Sequence, residues 1–322
     1  MSGREMLALL ADGQAHSGVD MAAALGVSRA AVWKQIEALR GRGLPIIAVA
    51  GQGYALPWPL ELLDAATIRA QLSVAASSRV GGLDVLWDVD STSTELRRRP
   101  PGEDCQFLLS EGQRAGRGRR GRGWLSPPGL NIYLSCRKHF DGGVASLAGL
   151  SLAVGVMVIA ALEQCGVAGV GLKWPNDVLA DDAKLAGILV ELEGEYAGPC
   201  DAVIGIGINL RLPTTLREAA GQAVTDLASL CGGVPPARNR LAGVLIDGLV
   251  QGLDRFALAG FGAFATDYAR HDCLLGRQLR AETPRGVVQG VGAGVDPRGA
   301  LLLSTAQGVA CLDSADVSVR PT

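Results

Sequence analysis

Histidine is nearly missing from this chain: three residues, at positions 16, 139 and 271, among 322. A histidine-based metal cluster is therefore not expected. The seven cysteines never form a CxxC pair. An odd, unpatterned set argues against a disulfide frame or a zinc site and fits reduced thiols in a cytoplasm. Charge is sparse as well, at 19% of residues with a formal net charge of −2. A chain so close to neutral does not coat nucleic acid generally, so any DNA contact must come from a local patch. No signal peptide is expected, because Arg4, Glu5 and Asp12 interrupt the first apolar run. No GxxxxGK[ST] occurs, which excludes a P-loop, and no internal repeat stands out.

What is present is 48% hydrophobic residues in a length suited to two or three domains. Residues 144–162, VASLAGLSLAVGVMVIAAL, carry no charge over nineteen positions, near the length that spans a bilayer. The stretch is rich in Gly, Ala and Ser and no second such run follows, so a buried core helix is expected and no membrane partner.

Residues 1–60 read as one unit. A short amphipathic helix is followed by a second that Ser17 caps, a Gly26-Val27 turn, and a third that Ser28 caps. In the third, SRAAVWKQIEALR, Ala31, Ile36 and Leu39 recur at helical spacing. Two short β-like runs joined by Gly51-Gln52-Gly53 complete the order of a winged helix-turn-helix. The third helix would enter a major groove with Ser28, Arg29, Lys34 and Gln35 near its solvent side. Five basic against four acidic residues from Arg4 to Arg42 is weak electrostatics for a lone DNA binder, and a dimer would double the footprint. A helical module used for protein contacts is the plainer alternative.

Pro57-Trp58-Pro59 forms a stiff connector. Residues 61–270 then mix strand candidates (VLWDVD, QFLLSEG, NIYLSCR, VGLKWPND, ILVELEGEY, AVIGIGINL) with helical patterns at 144–165 and 238–257. This is an α+β domain with a mixed sheet. Residues 271–322 alternate short β-like runs with Gly and Pro turns, the pattern of a small β-barrel. The fold class is thus a multi-domain α+β chain.

Residues 110–124, SEGQRAGRGRRGRGW, gather five arginines and five glycines. GRGRRG matches GxGxxG by letter, but Ser126-Pro127-Pro128-Gly129 follows and forbids the helix a dinucleotide fingerprint needs. What remains is a flexible cationic loop between two strands. Ordering it is costly, and an anionic ligand such as a phosphate offsets that cost. An arginine-rich solvated loop is the alternative.

This loop, followed by GLKWPNDVLADDAKLAGILVEL and VIGIGINL, resembles the biotin protein ligases. With the helix-turn-helix ahead of it and AGQGYAL as a wing, the whole chain is similar to the bifunctional subgroup that joins biotin ligase to biotin-operon repressor. The resemblance implies that biotin's carboxylate attacks the α-phosphate of ATP. The resulting biotinyl-5′-adenylate would acylate a lysine of a biotin carboxyl carrier protein, and would serve as co-repressor on operator DNA. It also implies an SH3-like character for the C-terminal barrel. Ser91, Thr92, Ser93, Gln113, Arg117, Gly118, Arg119 and Lys184 are the implied biotin contacts. Arg117, Arg119, Arg120, Arg122, Trp124, Lys173, Asn176 and Asn209 are implied for ATP and the adenylate. Lys184, Arg119 and Asp177 are implied for catalysis, with Asp177 as a Mg²⁺ ligand or a carboxylate that orients ATP. Ser93 stands where the family usually has asparagine, and Gly123 where many relatives carry lysine or another side chain. Thr92 with Glu95 also reads as a capping box, Asn209 as a strand-end cap, and Trp124 as either an adenine stack or a core plug. A ligand-bound homodimer is expected, with residues 190–196 as its edge. The rivals are a lipoate or octanoate ligase, a ligand sensor without turnover, and a ligase whose module represses nothing.

Overall fold

The computed structural model describes residues 3–102, 104–284, 286–313 and 318–321. Helices α1 (Gly3–Leu10), α2 (Gly18–Leu25) and α3 (Arg29–Gly41) precede a hairpin of β1 (Ile47–Val49) and β2 (Gly53–Ala55), the order expected of a winged helix-turn-helix. Ser17 Oγ accepts from Asp20 N at 3.0 Å and Ser28 Oγ from Ala31 N at 3.2 Å, so both hydroxyls satisfy helix N–H groups that have no carbonyl partner. Gly26 ends α2 in the left-handed region at φ 63°, where a side chain would be strained. Val32, Ile36 and Leu39 are the buried positions of α3, whereas Ala31, expected on that face, is only half-buried. They close a core with Met6, Leu7, Leu10 and Met21.

The central domain begins with α4 (Ala65–Arg69) and α5 (Val74–Ser77), then β3 (Val80–Val89), α6 (Thr92–Arg98), β4 (Cys105–Gln113) and β5 (Ile132–Phe140). Helix α7 (Leu150–Gln164) precedes β6 (Val170–Lys173), β7 (Asp177–Ala180), β8 (Ala183–Gly194) and β9 (Cys200–Ile208). Helices α8 (Thr214–Ala219), α9 (Leu227–Leu230), α10 (Arg238–Ala259) and α11 (Ala265–His271) complete it. The seven strands lie in the order β3-β4-β5-β9-β8-β7-β6; only β3–β4 is parallel, so the sheet is mixed. Residues 144–162 do not make one helix: Gly149, at φ 78°, separates a 3-10 turn (Val144–Leu147) from α7. Eleven of the fifteen α7 residues are buried. Each fully buried Val, Leu, Ile or Met there stabilises by about 1.5–3 kcal/mol. A Cβ on Gly252 of α10 would lie 2.5 Å from Met157 of α7, which is why the two helices approach so closely. No described helix is long and apolar enough to cross a membrane.

The C-terminal unit is an antiparallel sheet of β10 (Gln278–Thr283), β11 (Gly286–Val295), β12 (Leu301–Thr305), β13 (Gly308–Leu312) and β14 (Ser318–Pro321), in the order β13-β12-β11-β10-β14. The expected barrel is corrected to an open sheet among the described residues. Closure requires the outer strands to pair, and β13 and β14 sit at opposite ends. This sheet is fastened at two places: Trp174 Nε1 of the KWPND turn donates to Gly299 O at 3.0 Å, and Arg277 pairs with Asp182 of the β7–β8 turn at 2.5 Å.

Candidate active site

One cavity of about 720 Å³ opens on the sheet face beneath the glycine–arginine loop. Its first wall is a chain of hydroxyls. Ser91, Thr92 and Ser93 are each at least 96% buried where β3 turns into α6. Ser93 Oγ lies 3.0 Å from Ser135 Oγ, and Ser135 Oγ donates to Thr92 Oγ1 at 2.8 Å. Thr92 donates to Gln113 Oε1 from its backbone N (2.9 Å) and its hydroxyl (3.2 Å), and Gln113 Nε2 donates to Ser126 Oγ at 2.9 Å. The capping box expected of Thr92 and Glu95 is not formed. Ser91, not Thr92, is the N-cap residue and makes no side-chain cap bond, and the Thr92 hydroxyl is committed to Gln113 and Ser135. Glu95 instead pairs with Arg98 and Arg99.

The loop itself is a small closed turn. Trp124 N donates to Gly116 O at 2.8 Å and Gly118 N to Arg122 O at 2.7 Å, while Arg120 adopts φ 58°. Arg117, Arg119, Arg120 and Arg122 line the cavity; Arg114 does not, being turned toward Asp88 at 3.4 Å. Arg119 Nη1 donates to Asn176 Oδ1 at 3.4 Å, and Arg117 Nη2 pairs with Glu191 at 2.5 Å. Trp124 lies on the backbone of two glycines. A Cβ on Gly207 would be 2.4 Å from its ring and one on Gly187 2.9 Å. Both expectations for Trp124 are thus compatible with its place: the ring is half-buried on the sheet, lines the cavity, and its Nε1 has no hydrogen-bond partner.

The far wall is the β6–β7 hairpin, whose Trp174-Pro175 peptide is cis. Asn176 Nδ2 donates to Ile188 O at 2.8 Å and Ile188 N to Asn176 O at 2.9 Å, which fixes the turn on β8. Lys184 Nζ sits 2.7 Å from Asp177 Oδ1 and 5.3 Å from the Trp124 ring centre. The Lys184–Asp177 contact is an ion pair without hydrogen-bond alignment, so Asp177 Oδ1 is buried and still without a hydrogen-bond partner. Burial pushes the Lys173 ammonium below its ordinary range. Seven cationic side chains against two acidic ones face the cavity, an arrangement suited to a polyanion.

Asn209 is the one expected ligand contact that the cavity does not include. It is buried, and its Nδ2 donates to Lys184 O (3.4 Å) and Thr225 O (3.1 Å). The structure shows it in a strand-end role, holding the Lys184 backbone beside the cavity. Sequence reasoning missed Ser135, Gly205 and Arg320, which stand close by or line the cavity. The glycines had a signal, since Gly205 and Gly207 in GIGIN alternate onto one strand face; a lone serine in β5 and an arginine in β14 had none. In the N-terminal module Arg29 and Lys34 are exposed on α3, Ser28 is spent on its cap, and Gln35 is half-buried at the flank.

Comparison with known proteins bears on these features. A family model described as an HTH domain matches residues 4–55, and the Biotin/lipoate A/B protein ligase family model matches residues 91–209. The chain is 38% identical over 303 residues to the bifunctional ligase/repressor BirA of Escherichia coli, covering 93% of this chain and 91% of that protein. It is 35% identical to the biotin–[acetyl-CoA-carboxylase] ligase of Mycobacterium tuberculosis, covering 79% of this chain and 95% of that one. Among solved structures, the biotin protein ligase from Aquifex aeolicus in complex with biotin and ATP superposes with a TM-score of 0.64 at 26% identity, over 75% of this chain and all of that one. By matching both the ligase domain and the helix-turn-helix ahead of it, the chain belongs to the biotin protein ligases and, among them, to the bifunctional ligase/repressors.

Proposed function

We propose that the cavity joins biotin and ATP into biotinyl-5′-adenylate, that the adenylate biotinylates a lysine of a biotin carboxyl carrier protein, and that it also serves as co-repressor for the helix-turn-helix module. The observation that carries this is one cavity lined by both a neutral hydroxyl cluster and a cationic cluster that includes Lys184. Ser91, Thr92, Ser93 and Gln113 supply donors and acceptors suited to a ureido head group. Arg117, Gly118 and Arg119 hold the carboxylate and phosphate region. Arg120, Arg122, Lys173 and Asn176 face the triphosphate, with Trp124 against the nucleoside. Two anions must meet for the carboxylate oxygen to attack the α-phosphate and expel pyrophosphate. Lys184 offsets that repulsion as a point charge, a kind of stabilisation worth several kcal/mol in such sites. Closure of the loop keeps water from the anhydride.

Magnesium entering with the triphosphate needs few protein ligands, because it keeps several waters and takes one or two carboxylates. Asp177 Oδ1, buried and paired with Lys184 Nζ at 2.7 Å without a hydrogen bond, is the carboxylate that would hold the ion once that ammonium turns to the phosphates. No group of three or more His, Cys, Asp or Glu gathers as a cage among the described residues. For the homodimer, β8 offers an edge. Its pairing with β7 stops at Gly187, the Ile188 N bond follows, and from Leu189 to Gly194 it pairs only with β9 among the described residues. A cytoplasmic location and the domain limits 1–60, 61–270 and 271–322 belong to the same proposal.

The test is intact-mass spectrometry of a biotin-carrier domain incubated with the chain, Mg·ATP and biotin, with lipoate and octanoate in parallel. One biotinyl group should be added, only with ATP, and Lys184→Ala should abolish it. Transfer of lipoate or octanoate instead would favour the other branch of the matched family, and an unmodified carrier would leave a sensor without turnover.

A further inference from the structure

Helix α3 sorts its residues cleanly by face. Val32, Ile36 and Leu39 go to the core, while Arg29, Ala30, Trp33, Lys34 and Ala38 are exposed. Trp33 shows 58% of its surface to solvent. The other four tryptophans are half-buried or, like Trp174, fully buried. Among the described residues no ring or guanidinium covers Trp33. An indole gains most of its stabilisation by leaving water, and here the fold withholds that gain. The ridge around it is cationic. Arg29 and Lys34 have no ion-pair partner among the described residues, and the helix's one acid, Glu37, is tied to Arg40 at 2.7 Å. A large apolar surface between two uncommitted cations is complementary to a duplex groove, where phosphate rails flank the stacked base edges.

We propose that Trp33 reads bases in the major groove by packing against thymine 5-methyl groups, with Ala30 beside it and Arg29 and Lys34 on the flanking phosphates. This rests on the DNA-binding function of the module and adds the residue that gives it sequence preference. Apolar contact with the thymine methyl is a recognised element of direct readout, and the methyl projects farther into the major groove than the C5–H of cytosine. Scarce phosphate contacts in a nearly neutral module make such contact weigh more in the choice of site.

The experiment uses the full-length chain with biotin and Mg·ATP. Duplexes are selected from a random-sequence pool by the parent chain and by Trp33→Ala, and the selected site is then remade with uracil in place of thymine. Trp33 takes no part in the core, so Trp33→Ala should retain the parent's circular dichroism and carrier biotinylation. The parent should enrich a thymine-containing site and lose about 5-fold or more in affinity when the methyls are removed. Trp33→Ala should bind the thymine site about as weakly as the parent binds the uracil site, and should not distinguish the two. A parent chain that enriches no sequence would overturn DNA binding itself, and this inference with it. A parent that enriches a site which Trp33→Ala binds equally well, or with equal loss on uracil substitution, would overturn the role of Trp33 alone. So would a Trp33→Ala defect that appears only in self-association.

Discussion

Two glycines in β9 separate the poles of the cavity at single-atom resolution of effect. A Cβ on Gly205 would stand 2.7 Å from Ser93 Oγ, whereas one on Gly207 would strike the Trp124 ring at 2.4 Å. Both distances are shorter than any real Cβ contact, so the neighbour has to move. Gly205→Ala is expected to raise the KM for biotin about tenfold with little effect on ATP, and Gly207→Ala to do the reverse, since a displaced hydroxyl or ring loses one or two contacts of about 1 kcal/mol each. Steady-state kinetics with each substrate varied in turn checks this; equal effects on both would mean the two poles are not separate. Much of this was legible beforehand. The hydroxyl triplet, Gln113, four of the loop arginines and Lys184 face one cavity as their motifs implied. Asn209 lies outside that cavity, where its side-chain amide donates to the backbone carbonyls of Lys184 and Thr225. Ser135 could not be read, because a serine inside a hydrophobic strand carries no spacing that announces it.

The elements hold the site through one buried ion pair. Arg238, at the start of α10, donates to Glu111 of β4 at 2.8 Å, to Glu61 O at 2.6 Å and to Asn131 O at 2.8 Å, while Leu63 N donates to Glu111 at 2.5 Å. Both charged side chains are at least 95% buried. Removing one partner strands the other, so Glu111→Gln is expected to cost about 3–5 kcal/mol in urea unfolding. A loss under 1 kcal/mol would show that water reaches the pair. Glu111 lies two residues before Gln113, so the same variant should also loosen the entry to the loop. On the loop, Arg119→Ala is expected to speed release of the adenylate about tenfold or more, the worth of a charged hydrogen bond; full retention in a rapid-dilution assay would remove Arg119 from the phosphate. Element types were readable from pattern, but α7 shows how a pattern misleads. A helix buried on every side has no apolar stripe, and only Gly149 marks where it starts. The open C-terminal sheet was misread as a barrel because closure is a property of strand order, which turn spacing does not encode.

At the scale of the molecule, the helix-turn-helix module is seated on the ligase domain. Arg42, just past the end of α3, pairs with Asp88 at 2.6 Å, and Asp88 also lies 3.4 Å from Arg114 at the root of the loop. Trp87 packs into the module's own core, and Arg211 lies 4.9 Å over Trp58 of the connector. These contacts are partly solvated, each worth roughly 0.5–1 kcal/mol. Arg42→Met should therefore leave biotinylation intact and increase proteolytic cleavage near the Pro57-Trp58-Pro59 connector several-fold. Unchanged cleavage would mean that apolar packing alone seats the module.

The chain's cations are almost all guanidinium: 26 arginines and only four lysines, at 34, 138, 173 and 184. An acyl adenylate acylates amines, and a guanidinium, always charged, is no competitor for it. The glycine–arginine loop that lines the cavity contains five arginines and no lysine. Lys184 is held against Asp177, and Lys138 is buried against Asp254 at 2.8 Å. Lys34 alone among the four is exposed. The protein thus surrounds a reactive reagent mainly with groups that it cannot acylate; the cavity's own amines are Lys173 and Lys184, and Lys184 is held as an ion pair with Asp177.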